Sequence, residues 1–264
     1  MKKIIFFLFI FYSSSLLSQS NDQFFFSGNL NINNNGIDWV PLFTRDKPSL
    51  IANFTFVNKR FSARSLVRYE LDGFQPWGVD FYWNYQFIQN EKIKFDFGAF
   101  LPGVFTQRVR VNEKNLPNEI LQPWVNAMIN PNFTYNWNQN FSLRLSYYHG
   151  FPIDYVNTDQ FDSVKLLFLT PMIKNIHFSS FYINLIPQLY TVKIDDLSTG
   201  IFLANTISIG LLKSNFYISS VINKPIKFGG LSGKKFNWNI GLNYSFKFNF
   251  IQKKGIKDES LSFK

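Results

Sequence analysis

From residue 24 onward the chain alternates apolar and polar residues with a period of two, the pattern of strands with one greasy and one polar face. Phe24, Phe26, Gly28, Leu30 and Ile32 interleave with Ser27, Asn29 and Asn31. The same beat runs through 50–56, 61–71, 79–87, 93–99, 129–137 and 141–147. An eighth strand begins at Val164, Leu166 and Phe168. A ninth, 176–190, is apolar on both faces, and further strands are predicted over 201–211, 216–222 and 236–248. The pattern predicts about twelve antiparallel strands.

The connections sharpen this picture. Asn58-Lys59, Asn90-Glu91, Asn138-Gln139-Asn140, Lys174-Asn175 and Ser214-Asn215 read as tight polar turns. Between them lie the longer segments 33–49, 72–78, 105–120, 150–162, 191–199 and 223–235. Strict alternation of short and long connections predicts an all-β, transmembrane, up-and-down antiparallel β-barrel with short periplasmic turns and longer external loops. An even strand count then puts both termini in the periplasm.

A secreted β-sandwich would also alternate, but its strands average ~5–6 residues. Strands of about ten residues suit a tilted crossing of the hydrocarbon. The polar face is rich in Asn, Ser and Thr, without the Lys/Glu density of a soluble sheet. Trp39, Trp77, Trp83, Trp124, Trp137, Tyr147 and Trp238 fall near strand ends and are expected in interfacial girdles.

Composition adds to this. Of 264 residues, 33 are Phe, aromatics make up 19% and charged residues 17%, a balance unlike a soluble surface around a soluble core. Cysteine is absent and the two histidines are far apart, so no disulfide, metal site or cofactor is expected. The formal charge is +10, but the basic residues are scattered among aromatic strands, which argues against nucleic acid as a partner. Met1-Lys2-Lys3, the apolar run Ile4–Tyr12 and Ser13–Ser18 read as a secretory signal. The expected organisation is a signal peptide over 1–20, a barrel over 21–250 and a solvated periplasmic tail over 251–264.

The last strand carries a resemblance. Asn239, Gly241, Tyr244 and Phe246 match, position by position, the C-terminal assembly signal of bacterial outer-membrane β-barrel proteins. The match implies delivery to the barrel-assembly machinery and integral residence in the outer membrane. The tail after Phe248 departs from barrels that end at the signal. The Phe- and Asn-rich composition is similar to outer-membrane proteins of Bacteroidota.

If the aromatic parity faces lipid, the other parity lines the lumen. It carries Arg64, Arg68, Glu70, Asp80, Lys94, Asp96 and Arg144, with Lys165 and Lys247 also assigned there. The connection 72–78 should bring Arg68 near Asp80. Such a set serves either as a selectivity track for anionic solutes or as an ion-paired filling. Tyr82, Phe100, Tyr148, Phe202 and Tyr217 should narrow the interior.

Arg108, Arg110, Lys224, Lys227, Lys234 and Lys235 are candidate contacts for lipopolysaccharide phosphates. Acidic loop residues at Asp154/Asp159/Asp162 and Asp195/Asp196 read either as a divalent-cation site or as surface hydration, the second being the preferred reading. His149 and His177 lack a partner set for nucleophilic catalysis; position 151 is Phe where an outer-membrane phospholipase would carry Ser. The expected function is a narrow passive channel for small polar or anionic solutes, without catalysis. The alternatives are a non-conducting barrel acting as partner or scaffold for other outer-membrane proteins, and a lipid-modifying enzyme. Expected partners are outer-membrane lipid, lipopolysaccharide and the assembly machinery.

Overall fold

The computed structural model describes residues 23–110, 119–153 and 161–251, and every regular element in them is a β-strand. In chain order these are β1 (Gln23–Asn33), β2 (Ser49–Asn58), β3 (Phe61–Glu70), β4 (Gln75–Gln89), β5 (Ile93–Arg110), β6 (Glu119–Asn136) and β7 (Phe141–Pro152). There follow β8 (Val164–Phe178), β9 (Phe181–Ile194), β10 (Gly200–Leu211), β11 (Phe216–Lys227), β12 (Asn237–Trp238) and β13 (Gly241–Ile251). Each strand pairs antiparallel with the next, and β12 and β13 together run beside β11 as one interrupted stave. β13 then pairs with β1 from Gln23–Ile251 to Asn33–Gly241. The sheet is a closed barrel of twelve staves, so each ladder finds its partner within the molecule.

The parity follows the predicted beat. Ile32, Phe81, Phe133, Leu145, Leu203 and Leu242 stand exposed on the outer wall, whereas Asn33, Asp80, Asn132, Ser146 and Asn243, on the opposite parity, are buried inside. A largely apolar outside around an inside that carries buried asparagines and charges is the reverse of a soluble barrel and suits a lipid surround. Gln23 and Ile251 lie at the end that carries the tight turns, while the long connections gather at the other end.

Three departures from the predicted elements have local causes. The turn expected at Lys174-Asn175 falls instead at Ser179-Ser180, with Ser179 at φ 54°. Asn175 does take φ 54°, but as part of a β-bulge between Ile173 and Ile176 rather than as a reversal. β5 and β6 extend well into the expected connection 105–120, pairing as far as Arg110–Glu119. The last strand breaks at residues 239–240. There the Asn239 side-chain oxygen accepts the Val221 N–H at 2.7 Å, and Ile240 N–H donates to the Asn34 side chain at 2.8 Å. Asparagine side chains thus stand in for ladder bonds that the irregular backbone gives up. The signal segment 1–20 and the tail beyond Ile251 lie outside the described residues.

The closing seam has its own packing device. Gly28 faces outward opposite Phe246, the tip of whose ring occupies the place a Cβ would take, with Phe26 and Phe54 alongside. A Cβ at position 28 would collide with that ring. Phe246 therefore sits on the seam that closes the barrel. Gly28→Val should destabilise the folded barrel by about 1–3 kcal/mol through overpacking. Its thermal unfolding, followed by the shift in gel migration of unheated against heated protein, should move to lower temperature; an unchanged midpoint would contradict the seam assignment.

Candidate functional site

The interior is divided into two halves of different chemistry. At the long-loop end the inward residues of β5–β10 are apolar: Phe100, Met128, Leu166, Phe168, Tyr190 and Phe202 form one buried cluster. The connection 33–49 folds back into the barrel to cover them. Within it Gly36 and Lys47 pair their backbones, Arg45 N–H donates to Gly36 O, and Ile37 bridges Thr44. This small hairpin drives Trp39 and Val40 inward. The Trp39 ring lies 4.8 Å from that of Tyr148 and 5.5 Å from that of Phe100. A void of only about 10 Å³ remains between Trp39, Phe100 and Met128, room for about one water. Phe228 and Leu231, from the connection after β11, pack against the same cluster. Lys234 pairs with Asp46 at 2.8 Å, tying the two connections together.

The hairpin is held by charge as well as by packing. Arg68 on β3 is fully buried; its Nε donates to Asp38 at 2.7 Å and its Nη2 to Asp80 at 2.5 Å. Arg45 donates to Glu70 at 3.0 Å, and Lys47 pairs with Asp72. Leu66, not Arg68, pairs directly with Asp80 in the ladder, so the Arg68–Asp80 contact is diagonal, and a bulge follows between Arg68 and Tyr69. The bulged strand also turns Trp77 inward, its ring facing the Arg68 guanidinium at 5.8 Å. Trp39 and Trp77 are therefore interior residues, contrary to the girdle expected for them. The hairpin carries Trp39 onto the rings of Phe100, Tyr148 and Phe168, and the bulge shifts the phase of Trp77, which accounts for both inward positions.

The half at the tight-turn end is polar and wetter. Asn130 and Asn132 bond one another, Tyr82 donates to Asn130 at 2.7 Å, and Asn132 donates to Asp96 at 2.7 Å. Arg144 reaches Asp96 at 3.4 Å. An asparagine amide both donates and accepts, so a ladder of them can satisfy itself in the interior. Arg64 lies over the Tyr82 ring and Lys247 over that of Phe25. On this inner face Arg64, Lys94, Arg144 and Lys247 outnumber Asp96, which makes it basic. A cavity of about 380 Å³ opens here, lined by Asn29, Asn53, Thr55, Asn215, Ser245 and Lys247.

The structure thus places Arg64, Arg68, Glu70, Asp80, Lys94, Asp96 and Arg144 inside, but in two separate groups. Arg68, Glu70 and Asp80 lock the plug; Arg64, Lys94, Asp96 and Arg144 line the polar half. Lys165 is a correction: it projects outward in the parity of Leu167 and Leu169, opposite His149 and Lys193. Both parities are apolar in this stretch of β8, because the plug covers its inner face, so alternation gave no phase. Tyr82, Phe100, Tyr148 and Phe202 narrow the lumen, and Tyr217 accepts from Asn29 at 2.8 Å.

Lys224 faces outward beside Leu203, and Lys227 lies next to Ile201. Of Arg108 and Arg110 the backbone alone is described, within β5, and Asp154 and Asp159 lie outside the described residues. His149 points outward between Tyr147 and Phe151, both edge-on at 6.4 Å. His177 pairs with Tyr182 at the tight-turn end. Asp38, the contact that fixes the plug, was not singled out from the sequence; one acidic residue beside Trp39 in a connection gives no signal of its partner thirty residues on.

Asp38 gives the plug a pH dependence. Burial is the largest influence and pushes its carboxyl up to about 6; Arg68 pulls it down and Asp80 pushes it up. Released into solvent it would titrate near its ordinary 3.8. The inserted hairpin holds the proton more tightly than a released one, so insertion is most favoured below 3.8 and weakens as pH rises through about 6. Amide exchange over 36–44, corrected for intrinsic rate, should be slower at about pH 4.5 than at pH 7; faster exchange in acid would contradict this. Arg68→Met, which strands two buried carboxylates, should cost about 3–5 kcal/mol in thermal unfolding. A loss within error of zero would show the cluster to be dispensable.

No protein-family model matches the chain, and no curated protein matches its sequence. Solved structures do match in fold. The COG4313 outer membrane channel from Pseudomonas putida F1 superposes with a TM-score of 0.51 at 8% identity, covering 88% of this chain and 97% of that one. The beta domain of the Bordetella autotransporter BrkA, at 9% identity, covers 86% and 99% with a TM-score of 0.40. OmpT, an outer membrane protein of Vibrio cholerae, covers 87% and 99% at 8% identity with a TM-score of 0.36. Identities this low speak to fold alone: the chain folds as bacterial outer-membrane β-barrels do.

Proposed function

We propose that the protein resides in a bacterial outer membrane, long connections outside and tight turns in the periplasm, as a narrow channel for small anionic solutes that the 33–49 hairpin holds shut. The observation that carries this reading is the contrast between the two interior halves. The polar half offers an open cavity of about 380 Å³ among hydrogen-bonding side chains. Its charges, Arg64, Lys94, Arg144 and Lys247 against Asp96, favour anions over cations. The closure at the other end is the hairpin, held by ion pairs and by Trp39 and Val40 and braced by Phe228, Leu231 and the Lys234–Asp46 pair; these are connections, not staves, and can leave without unzipping the barrel. No catalytic step belongs to this reading.

A second reading, a non-conducting barrel serving as partner or scaffold, draws support from a different observation. Leu166, Tyr190, Val192 and Phe202 on the wall itself are wholly buried. An apolar inner wall resists wetting, and hydrophobic constrictions can keep a pore shut.

Planar-bilayer recording separates the two. Deleting 37–43, or replacing Asp38 with Lys to set a like charge against Arg68, should raise the open fraction at least about tenfold over the wild-type chain. The conductance so released should favour anions, and Arg144→Ala with Lys247→Ala should reduce that preference. A correctly folded deletion variant that stays electrically silent would favour the scaffold instead.

A further inference from the structure

The outward turn of Lys165 creates a charged surface where a barrel of this kind should have a greasy one. Along the ladder, His149 on β7, Lys165 on β8 and Lys193 on β9 are direct neighbours, all at the long-loop ends of their strands and all facing outward. Directly opposed side chains stand about 5 Å apart at Cβ, and like charges so placed destabilise a sheet. Among the described residues neither lysine has an ion-pair partner. The described acids Asp162, Asp195 and Asp196 belong to the connections above, where Asp195 accepts the Ser163 N–H at 2.7 Å. Toward the middle of the barrel the same wall becomes Leu167, Leu169, Leu189 and Leu203, all exposed. Lys227 adds a further positive charge on the adjoining row, through Thr191 and Ile201.

Two opposed lysines directly above a leucine field call for a ligand with an anionic head and several acyl chains. Lysine stems can lie along the apolar wall while their ammonium groups reach the headgroup level. Given the orientation proposed above, that level is the outer leaflet. We propose that His149, Lys165 and Lys193 bind a phosphate of lipid A, with its acyl chains laid against Leu167, Leu169 and Leu189. The ligand's charge offsets the like-charge repulsion that the bare protein carries. The site is distinct from the lumen and rests on the outward placement of the long connections.

The test is native mass spectrometry of the full mature chain in detergent, titrated with bisphosphorylated lipid A, with lipid A stripped of phosphate, and with phosphatidylglycerol. Wild-type protein should retain bisphosphorylated lipid A in preference to the other two. Lys165→Ala with Lys193→Ala should weaken retention by about tenfold or more. Lys165→Arg with Lys193→Arg should retain it, and Lys92→Ala, at the opposite end of the barrel, should leave it unchanged. Should the alanine pair fail to fold, Lys165→Gln with Lys193→Gln carries the same comparison. Equal retention by wild type and the neutral pair overturns the proposal, as does preference for phosphatidylglycerol. Orientation is read separately. The natural chain has no cysteine, so Ser232→Cys should react with an impermeant maleimide on intact cells. An unlabelled cysteine overturns the orientation, whatever the lipid result.

Discussion

One constraint governs this molecule: in hydrocarbon, a backbone N–H or C=O left without a partner costs several kcal/mol, and no water is present to supply one. A strand therefore cannot cross alone, and a sheet cannot end. The pairing of β13 with β1 meets that requirement. The seam explains features that would otherwise be unrelated: the glycine at 28 beneath the Phe246 ring, and the side-chain bonds of Asn34 and Asn239 where the last stave is irregular. Where the backbone loses its ladder, an asparagine amide replaces it.

Closing the sheet also fixes what the inside must be. Inward residues cannot meet lipid, so they must pair, hydrate or pack on one another. The two halves solve this differently. The tight-turn half uses amides and hydroxyls in short networks, with basic side chains over aromatic rings. The long-loop half buries aromatics beneath a hairpin that brings its own carboxylate, Asp38, to a buried arginine. Breaking such a pair costs more than forming it gains. The hairpin is accordingly well placed when inserted and has no comparable set of partners when released.

Strand number and parity were legible in the sequence because lipid outside and polar groups inside enforce a strict two-residue beat; the alternation of short and long connections was legible in part, since the connection expected over 72–78 shrinks to 71–74 as β4 starts at Gln75 and pairs with Glu70. The beat fails where both faces are apolar. That happens along Val164–Leu169, where the plug covers the inner wall, and there the phase of Lys165 was lost. Asn175 carries the left-handed conformation of a turn residue yet sits in a bulge, a distinction made by pairing partners and not by residue type. Trp39 and Trp77 have the composition of girdle residues; their inward position depends on a loop contact and a bulge, both long-range. Lys165 apart, the lumen set was legible as a set, since parity alone assigns it. Its division into a lock and a basic vestibule was not, because that depends on where Asp38 arrives.

Single-tryptophan variants in vesicles of brominated lipid read directly which face of the wall meets acyl chains. Bromine on the chains quenches an indole it can touch. Variants retaining only Trp83, Trp137 or Trp238 should be strongly quenched, and those retaining only Trp39 or Trp77 should not. Shielded outer tryptophans together with quenching of Trp39 and Trp77 would contradict the assignment of inside and outside.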